Sequence, residues 1–333
     1  MAKREIAIVG AETLLGRDLR ESFEAAKLPA EVKLYHGEES GGILTEVAGE
    51  PTVIGELEAT AIRQAAVLVL AGSAEASEKT LDRLSKKGSR PVVIDVSGAL
   101  DDRPGSRLRA PLAEYGAHAP EKAEIQVIAH PASTVLAMFL RALQRVQPMK
   151  GSIATLFEPA SERGKRGIDE LQKQTVNLLS FKKMPTEVFD AQLSFSLLSR
   201  YGEDAPLSLG DIELRIERNL ASLLGRGEPI PMPSLRLIQA PAFHGYSMSV
   251  WVEFQSTPDP AALAQDLASD RIEVREPDQE PPTNVGVAGQ SGITVGSIAV
   301  DRNNPRACWF WIVADNLRIS AENAAEVARE ALA

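Results

Sequence analysis

The first third of the chain alternates short, nearly all-apolar runs with amphipathic stretches, and this alternation constrains the fold more than any other feature. REIAIVG, EVKLY, AAVLVLAG, PVVIDVSG and EIQVIAHP read as strands. LLGRDLRESFEAA, ASEKTLDRLSKKG and STVLAMFLRALQRV read as helices between or after them. A strand apolar on both faces must be covered on both faces. Strands of that kind, alternating with helices, specify a doubly wound parallel sheet of α/β class.

The texture changes after about residue 150. SIATLFEP, LRLIQAPAF, SMSVWVEFQ, ITVGSIAV and ACWFWIVAD read as longer strands, several alternating with a period of two, as a half-exposed sheet does. Helical patterns (ERGKRGIDELQKQTVNLL, DIELRIERNLASLL, DPAALAQDLA) lie among them, and an Ala-rich helix ends the chain. This second region predicts an α+β domain with a largely antiparallel sheet. The 333 residues are enough for two domains with sizeable cores.

Charge and composition exclude several functions. The net charge of −10 disfavours a nucleic-acid partner or an anionic membrane. Purely apolar runs such as Ala65 to Ala71 are far shorter than the roughly 20 residues that span a bilayer. The opening MAKREIAIVG does not read as a signal peptide, so a cytoplasmic location is expected. A single cysteine, Cys308, excludes a disulfide framework and sits in an apolar strand pattern, as a buried small hydrophobe would. His36, His118, His130 and His244 show no metal-binding spacing.

The first strand runs into Gly10-Ala11-Glu12-Thr13-Leu14-Leu15-Gly16 and then a helix. This is the context of a dinucleotide loop, in which helix N–H groups and the helix dipole hold a pyrophosphate. Gly10 and Gly16 remain of the glycine fingerprint, but Thr13 carries a Cβ and Leu14 and Leu15 add bulk. Two readings stay open: a cofactor loop, or a strand-to-helix turn that no longer binds nucleotide.

Six segments, in order and in register, resemble the aspartate-semialdehyde dehydrogenase family: IAIVGAETLLGRDL, VLAGSAEAS with PVVIDVSGAL, AHPASTVLAMFLRAL, PASERGKRGIDELQKQ, APAFHGYSMSVWVEF and WFWIVADNLRISAENAAEVA. The resemblance implies a Rossmann-type domain over residues 1–131 plus the C-terminal helix 316–333, and a dimerisation and substrate domain over 132–315. It implies NAD or NADP as cofactor, with Gly10, Glu12, Thr13, Leu14, Leu15, Gly16, Glu39, Ser40, Gly72 and Ser73 around it. It also implies a homodimer, or a heteromer with a functional paralogue.

The family reduces an acyl phosphate through a cysteine thioester, and here its working residues are replaced. The position of the thiol is Ala132, that of the acid/base histidine is Tyr246, and that of the active-site glutamine is Glu158. Asp101 and Gln239 stand where the family has anion-binding arginines, and Glu213 where it has a substrate lysine. Glu39 replaces the arginine expected to read the 2′-phosphate of NADP, which disfavours NADP and tolerates NAD. A methyl group cannot attack a carbonyl, and a tyrosine with a pKa near 10 is a poor base at neutral pH.

Smaller readings complete the picture. His244, on a strand, would share a face with residue 246. Ser133-Thr134 reads as a helix cap rather than a nucleophile, and Arg163-Gly164-Lys165-Arg166 as a solvated surface, with an anion site at a helix start as the alternative. Trp251, Trp309 and Trp311 read as packing a sheet or a subunit interface. Three functions follow: a noncatalytic homologue with a binding or partner role, a weakly active NAD(P)-dependent semialdehyde dehydrogenase, or a different, non-thiol reaction in the same cleft.

Overall fold

The computed structural model describes residues 4–37, 43–47, 50–58, 62, 64–84, 90–114, 123–227 and 229–333. Glu39 and Ser40, and the roles expected of them, lie outside these residues, as does His118. The chain forms two compact units, Met1–His130 with Ser320–Ala333, and Pro131–Ile319.

The first unit is built on β1 (Arg4–Val9), α1 (Leu14–Ala25), β2 (Ala30–Tyr35), β3 (Ile43–Val47), β4 (Glu50–Ile54), β5 (Val67–Leu70), α2 (Ala74–Asp82), β6 (Val92–Asp95), β7 (Ser106–Arg109) and β8 (Ile125–Ile128). Six of the strands form one sheet in the order β2-β1-β5-β6-β8-β7, and every neighbouring pair is parallel. The chain leaves β1 towards β2 and later returns to its other side as β5, so the order reverses at β1. In sheets of this kind that switch point is where the strand ends open a ligand crevice. The central strands are apolar because both faces are covered: Ile6, Ile8, Val67 and Val69 are buried against α1 residues Leu19 and Phe23 and against Ala321, Ala324, Ala325 and Ala328 of the C-terminal helix. The run of alanines lets that helix approach the sheet closely.

Two features of this unit have no clear sequence signal. The edge strand β7, SRLR, is short and polar, and β3 and β4 form a separate antiparallel pair. Arg109 closes β7, and its buried guanidinium donates to Glu114 (3.1 Å), Gln126 (2.7 Å) and Glu330 near the chain end (2.8 Å).

The second unit contains α3 (Pro131–Val146), β9 (Met149–Glu158), a short 3₁₀ turn (Ala160–Arg163), α4 (Gly164–Leu179), α5 (Leu209–Leu224), β10 (Ser234–Gln239), β11 (Tyr246–Phe254), α6 (Pro260–Leu267), β12 (Ile272–Val274), β13 (Ile293–Val300) and β14 (Ala307–Ala314). The last helix, α7 (Asn316–Leu332), begins here and ends in the first unit. The sheet order is β10-β9-β11-β14-β13-β12. Its three central pairings are antiparallel and its two outer pairings parallel, so the sheet is mixed. Along β11 the inward residues Tyr246, Met248, Val250, Val252 and Phe254 alternate with half-exposed ones, the period-two pattern legible in SMSVWVEFQ.

Three sequence expectations are corrected here. Ser133 does not cap α3, because the helix begins at Pro131, where proline's fixed φ and missing N–H suit the first turn. Ser133 instead donates its hydroxyl to the Ile216 carbonyl of α5 at 2.9 Å. His244 is not on a strand: β11 begins at Tyr246, and Gly245 turns the chain before it at φ 79°. Arg163 is not on a solvated surface: its guanidinium is turned inward to the Glu158 carboxylate at 3.0 Å. Lys165, its neighbour in the same basic run, is exposed and pairs with Asp169.

Candidate functional site

In the first unit the glycine loop is set by close backbone approach. Gly10 has φ 88°, and a Cβ on it would stand 2.4 Å from the Gly72 nitrogen after β5. A Cβ on Gly37, just past β2, would lie 3.2 Å from the Gly10 Cα and 3.3 Å from the Gly72 Cα. The ends of β1, β2 and β5 therefore meet through three glycines. Thr13 caps α1, accepting from the Gly16 N–H at 2.9 Å and donating to the Gly10 carbonyl at 2.8 Å. Its Cβ thus serves the helix start. Leu15 packs into the core, and Ser73 caps α2 by accepting from Ala76 N–H at 3.2 Å. Glu12 reaches across to β2, where its Oε1 accepts from the Gly37 N–H at 3.0 Å. Asp101, after β6, belongs to this unit and accepts at its backbone carbonyl from Ser106 at 3.3 Å.

In the second unit, register assembles three of the positions singled out in the sequence into one row. Gln239 of β10 pairs with Glu158 of β9, and Ser247 of β11 pairs with Phe157, which sets Tyr246 beside Glu158. The Glu158 carboxylate has no exposure to solvent. It accepts from Tyr246 Oη at 3.0 Å, from Arg163 Nη2 at 3.0 Å and from Tyr201 Oη at 3.4 Å. Tyr201 also donates to Gln239 Oε1 at 2.6 Å, and Gln239 Nε2 donates to the Glu158 carbonyl at 2.8 Å. A second cluster adjoins: Asn316 donates to Glu162 at 2.7 Å and accepts from Ser161 at 3.1 Å and from the Gly245 N–H at 3.2 Å.

The electrostatics follow from burial. Burial and the nearby Glu158 push the Tyr246 hydroxyl well above its ordinary pKa, and Tyr201 shifts the same way for the same causes. Neither is a base near neutral pH. Burial alone would lower the Arg163 pKa, but Glu158 and the surrounding tyrosines and Glu162 raise it, so the guanidinium stays charged. Burial, then Glu158, push Glu162 up to about 7. Cys308 is buried in β14, and burial raises its thiol to about 11.

Ala132 lies fully buried in the first turn of α3. Glu213 of α5 accepts from the Leu237 N–H at 2.5 Å and lies 3.9 Å from Arg236, so its carboxylate braces β10. Tyr201, Glu162 and Asn316 are network members that sequence reasoning missed. Tyr201 sits in an irregular segment without periodicity, and Asn316 is placed only by the docking of a strand end. The one available signal is PASERG, which places Arg163 five residues past Glu158 at the strand end.

Residues 142–319 match the family described as semialdehyde dehydrogenase, dimerisation domain. The "USG-1 protein homolog" of Azotobacter vinelandii is 28% identical over 97% of this chain and 96% of its own. The "Aspartate-semialdehyde dehydrogenase" of Synechocystis sp. is 25% identical over 97% and 96%. A solved structure described as a probable aspartate-semialdehyde dehydrogenase from Pseudomonas aeruginosa superposes with TM-score 0.85 at 27% identity, covering 98% of this chain and 97% of that one. The matched region contains the Glu158–Tyr246–Gln239 row, and the solved structure has both units; the chain belongs to the aspartate-semialdehyde dehydrogenase family.

Proposed function

We propose that this chain is a noncatalytic member of its family that acts as a binding or partner subunit. The observation that carries the reading is the Tyr246–Glu158 hydrogen bond, 3.0 Å long and shut off from water. Where the family's acid/base histidine is expected, a tyrosine is locked as a donor to a carboxylate. Ala132 offers no nucleophile, and Cys308 is a high-pKa thiol in an apolar strand. An acidic residue at 158 and a neutral amide at 239 replace the groups that would orient and clamp an anionic substrate. One of the similar chains carries a name, USG-1, that states no activity.

The second unit presents apolar surface suited to a homodimer, or to a heteromer with a functional paralogue. Ile153 and Trp309 are both about half exposed and flank Trp251 across the ladder, and Phe181, Phe195 and Leu197 are exposed. No helix among the described residues is long and apolar enough to cross a membrane. Sedimentation of the purified chain should give a dimer.

The decisive assay follows NADP and NAD reduction with aspartate semialdehyde and phosphate at high protein concentration. The expected wild-type trace is flat. The comparison variants are Ala132→Cys with Tyr246→His, then the same pair with Glu158→Gln and Gln239→Arg. Saturable wild-type turnover that scales with protein through repurification would favour the second reading, a weak NAD(P)-dependent dehydrogenase, to which the name of the Synechocystis relative points.

A further inference from the structure

We infer that Glu12 is a ribose-reading residue that admits a nucleotide with a free 2′-hydroxyl and rejects one carrying a 2′-phosphate. The inference rests on the first unit retaining a dinucleotide site and is independent of whether the chain turns over substrate. Four observations converge on it. Glu12 lies in the loop between β1 and α1, at the sheet's switch point, where α1 presents its N-terminus. Its Oε1 is fixed at the end of β2 by the Gly37 N–H at 3.0 Å. Its Oε2 is buried and has no hydrogen-bond partner among the described residues. That oxygen lies 3.8 Å from Nδ1 of His36, a buried imidazole of which neither nitrogen has a partner among the described residues.

A buried carboxylate oxygen without a donor is destabilising, so its position asks for a hydrogen-bond donor. In dinucleotide folds the adenosine ribose lies at the end of the second strand, and an acid supplied about 20 residues after the glycine loop accepts from its 2′-hydroxyl. Here an acid reaches the same strand end from inside the glycine loop. A 2′-hydroxyl donates to Glu12 Oε2, whereas a 2′-phosphate would bring about two negative charges against a carboxylate held in place by the backbone. The imidazole of His36 adds a neighbouring polar group for the same hydroxyl pair. The residues present therefore fit the unphosphorylated ribose of NAD and not that of NADP.

The test is calorimetry on the full chain with ADP-ribose and 2′-phospho-ADP-ribose, and then with NAD and NADP. The expected result is at least ten-fold tighter binding of each unphosphorylated ligand. Glu12→Gln keeps an oxygen for the Gly37 N–H while removing the charge, and it should shrink that ratio at least five-fold. Equal or reversed preference in the wild type, absence of binding by both ribose ligands at millimolar concentration, or an unchanged ratio in a folded Glu12→Gln variant would each overturn the assignment. If the variant does not fold, the wild-type preference decides. Turnover is not read in this experiment, so its outcome and that of the dehydrogenase assay are separable.

Discussion

Replacing Tyr246 with phenylalanine removes one oxygen and nothing else from a fully buried ring. That oxygen donates to Glu158 Oε2 at 3.0 Å, and the carboxylate has no access to water that could take its place. A hydrogen bond to a buried charged group contributes about 1.5–3 kcal/mol. Removing the hydroxyl also removes its own desolvation cost, so the net loss is about 2 kcal/mol. For a unit of roughly 150–250 residues each kcal/mol moves Tm by about 2–4 °C, so the expected drop is about 4–8 °C. The measurement is urea unfolding at pH 7 of wild type, Tyr246→Phe, Glu158→Gln and the double variant. The cycle should give a coupling energy of about 1.5–2 kcal/mol, because the two groups meet directly. A Tyr246→Phe variant within about 0.5 kcal/mol of wild type, with no coupling, would refute the claim that Glu158 depends on this donor.

Three further outcomes follow from the same geometry. Glu162 holds its proton up to about 7 in the folded state against 4.5 ordinarily, so the folded chain binds the extra proton between those values. Stability must then fall as pH rises across that window, by at most about 1.4 kcal/mol per unit, and level off above it. Glu162→Gln, which can still accept from Asn316, should flatten the slope; parallel melting curves for the two proteins from pH 4.5 to 8 would contradict the assignment. Arg109→Leu leaves Glu114, Gln126 and Glu330 without their shared donor and should cost about 2–3 kcal/mol, since both carboxylates keep some solvent. Hydrogen exchange should show the last turns of α7 losing protection first, and unaltered protection there would count against the clip. Gly10→Ala and Gly105→Ala place a Cβ at nearly the same positive φ, 88° and 84°, but only at Gly10 does it meet backbone, at 2.4 Å. Denaturation should show about 1 kcal/mol lost at Gly105 and clearly more at Gly10; equal losses would show that the close approach of the two loops is tolerated.

The elements that the sequence made legible are those whose apolar pattern is written locally. REIAIVG and VLVL are apolar on both faces because both faces are covered, and SMSVWVEFQ alternates because one face is not. A polar edge strand such as SRLR has no such signature, since one unpaired side and weak burial leave its composition unconstrained. That Ala132 carries no thiol and Tyr246 no imidazole is likewise readable, because it depends only on which atoms a residue carries.

What surrounds the residues at these positions depends on tertiary structure. Glu158, Gln239 and Tyr246 are separated by 81 and 88 residues along the chain and become neighbours only through strand register. The same holds for Arg163, which its sequence neighbours Lys165 and Arg166 make look solvated. A charge is turned inward when a buried opposite charge awaits it, and Glu158 stands only five residues back, at the end of the preceding strand. Glu12 shows the same division. Its identity is in the sequence, but its reach to Gly37 and to the buried His36 exists because three glycines let the ends of β1, β2 and β5 touch. Residue identity fixed which chemical groups stand at each position, and packing decided which contacts those groups make, because hydrogen bonding and desolvation depend on neighbours brought together from distant parts of the chain.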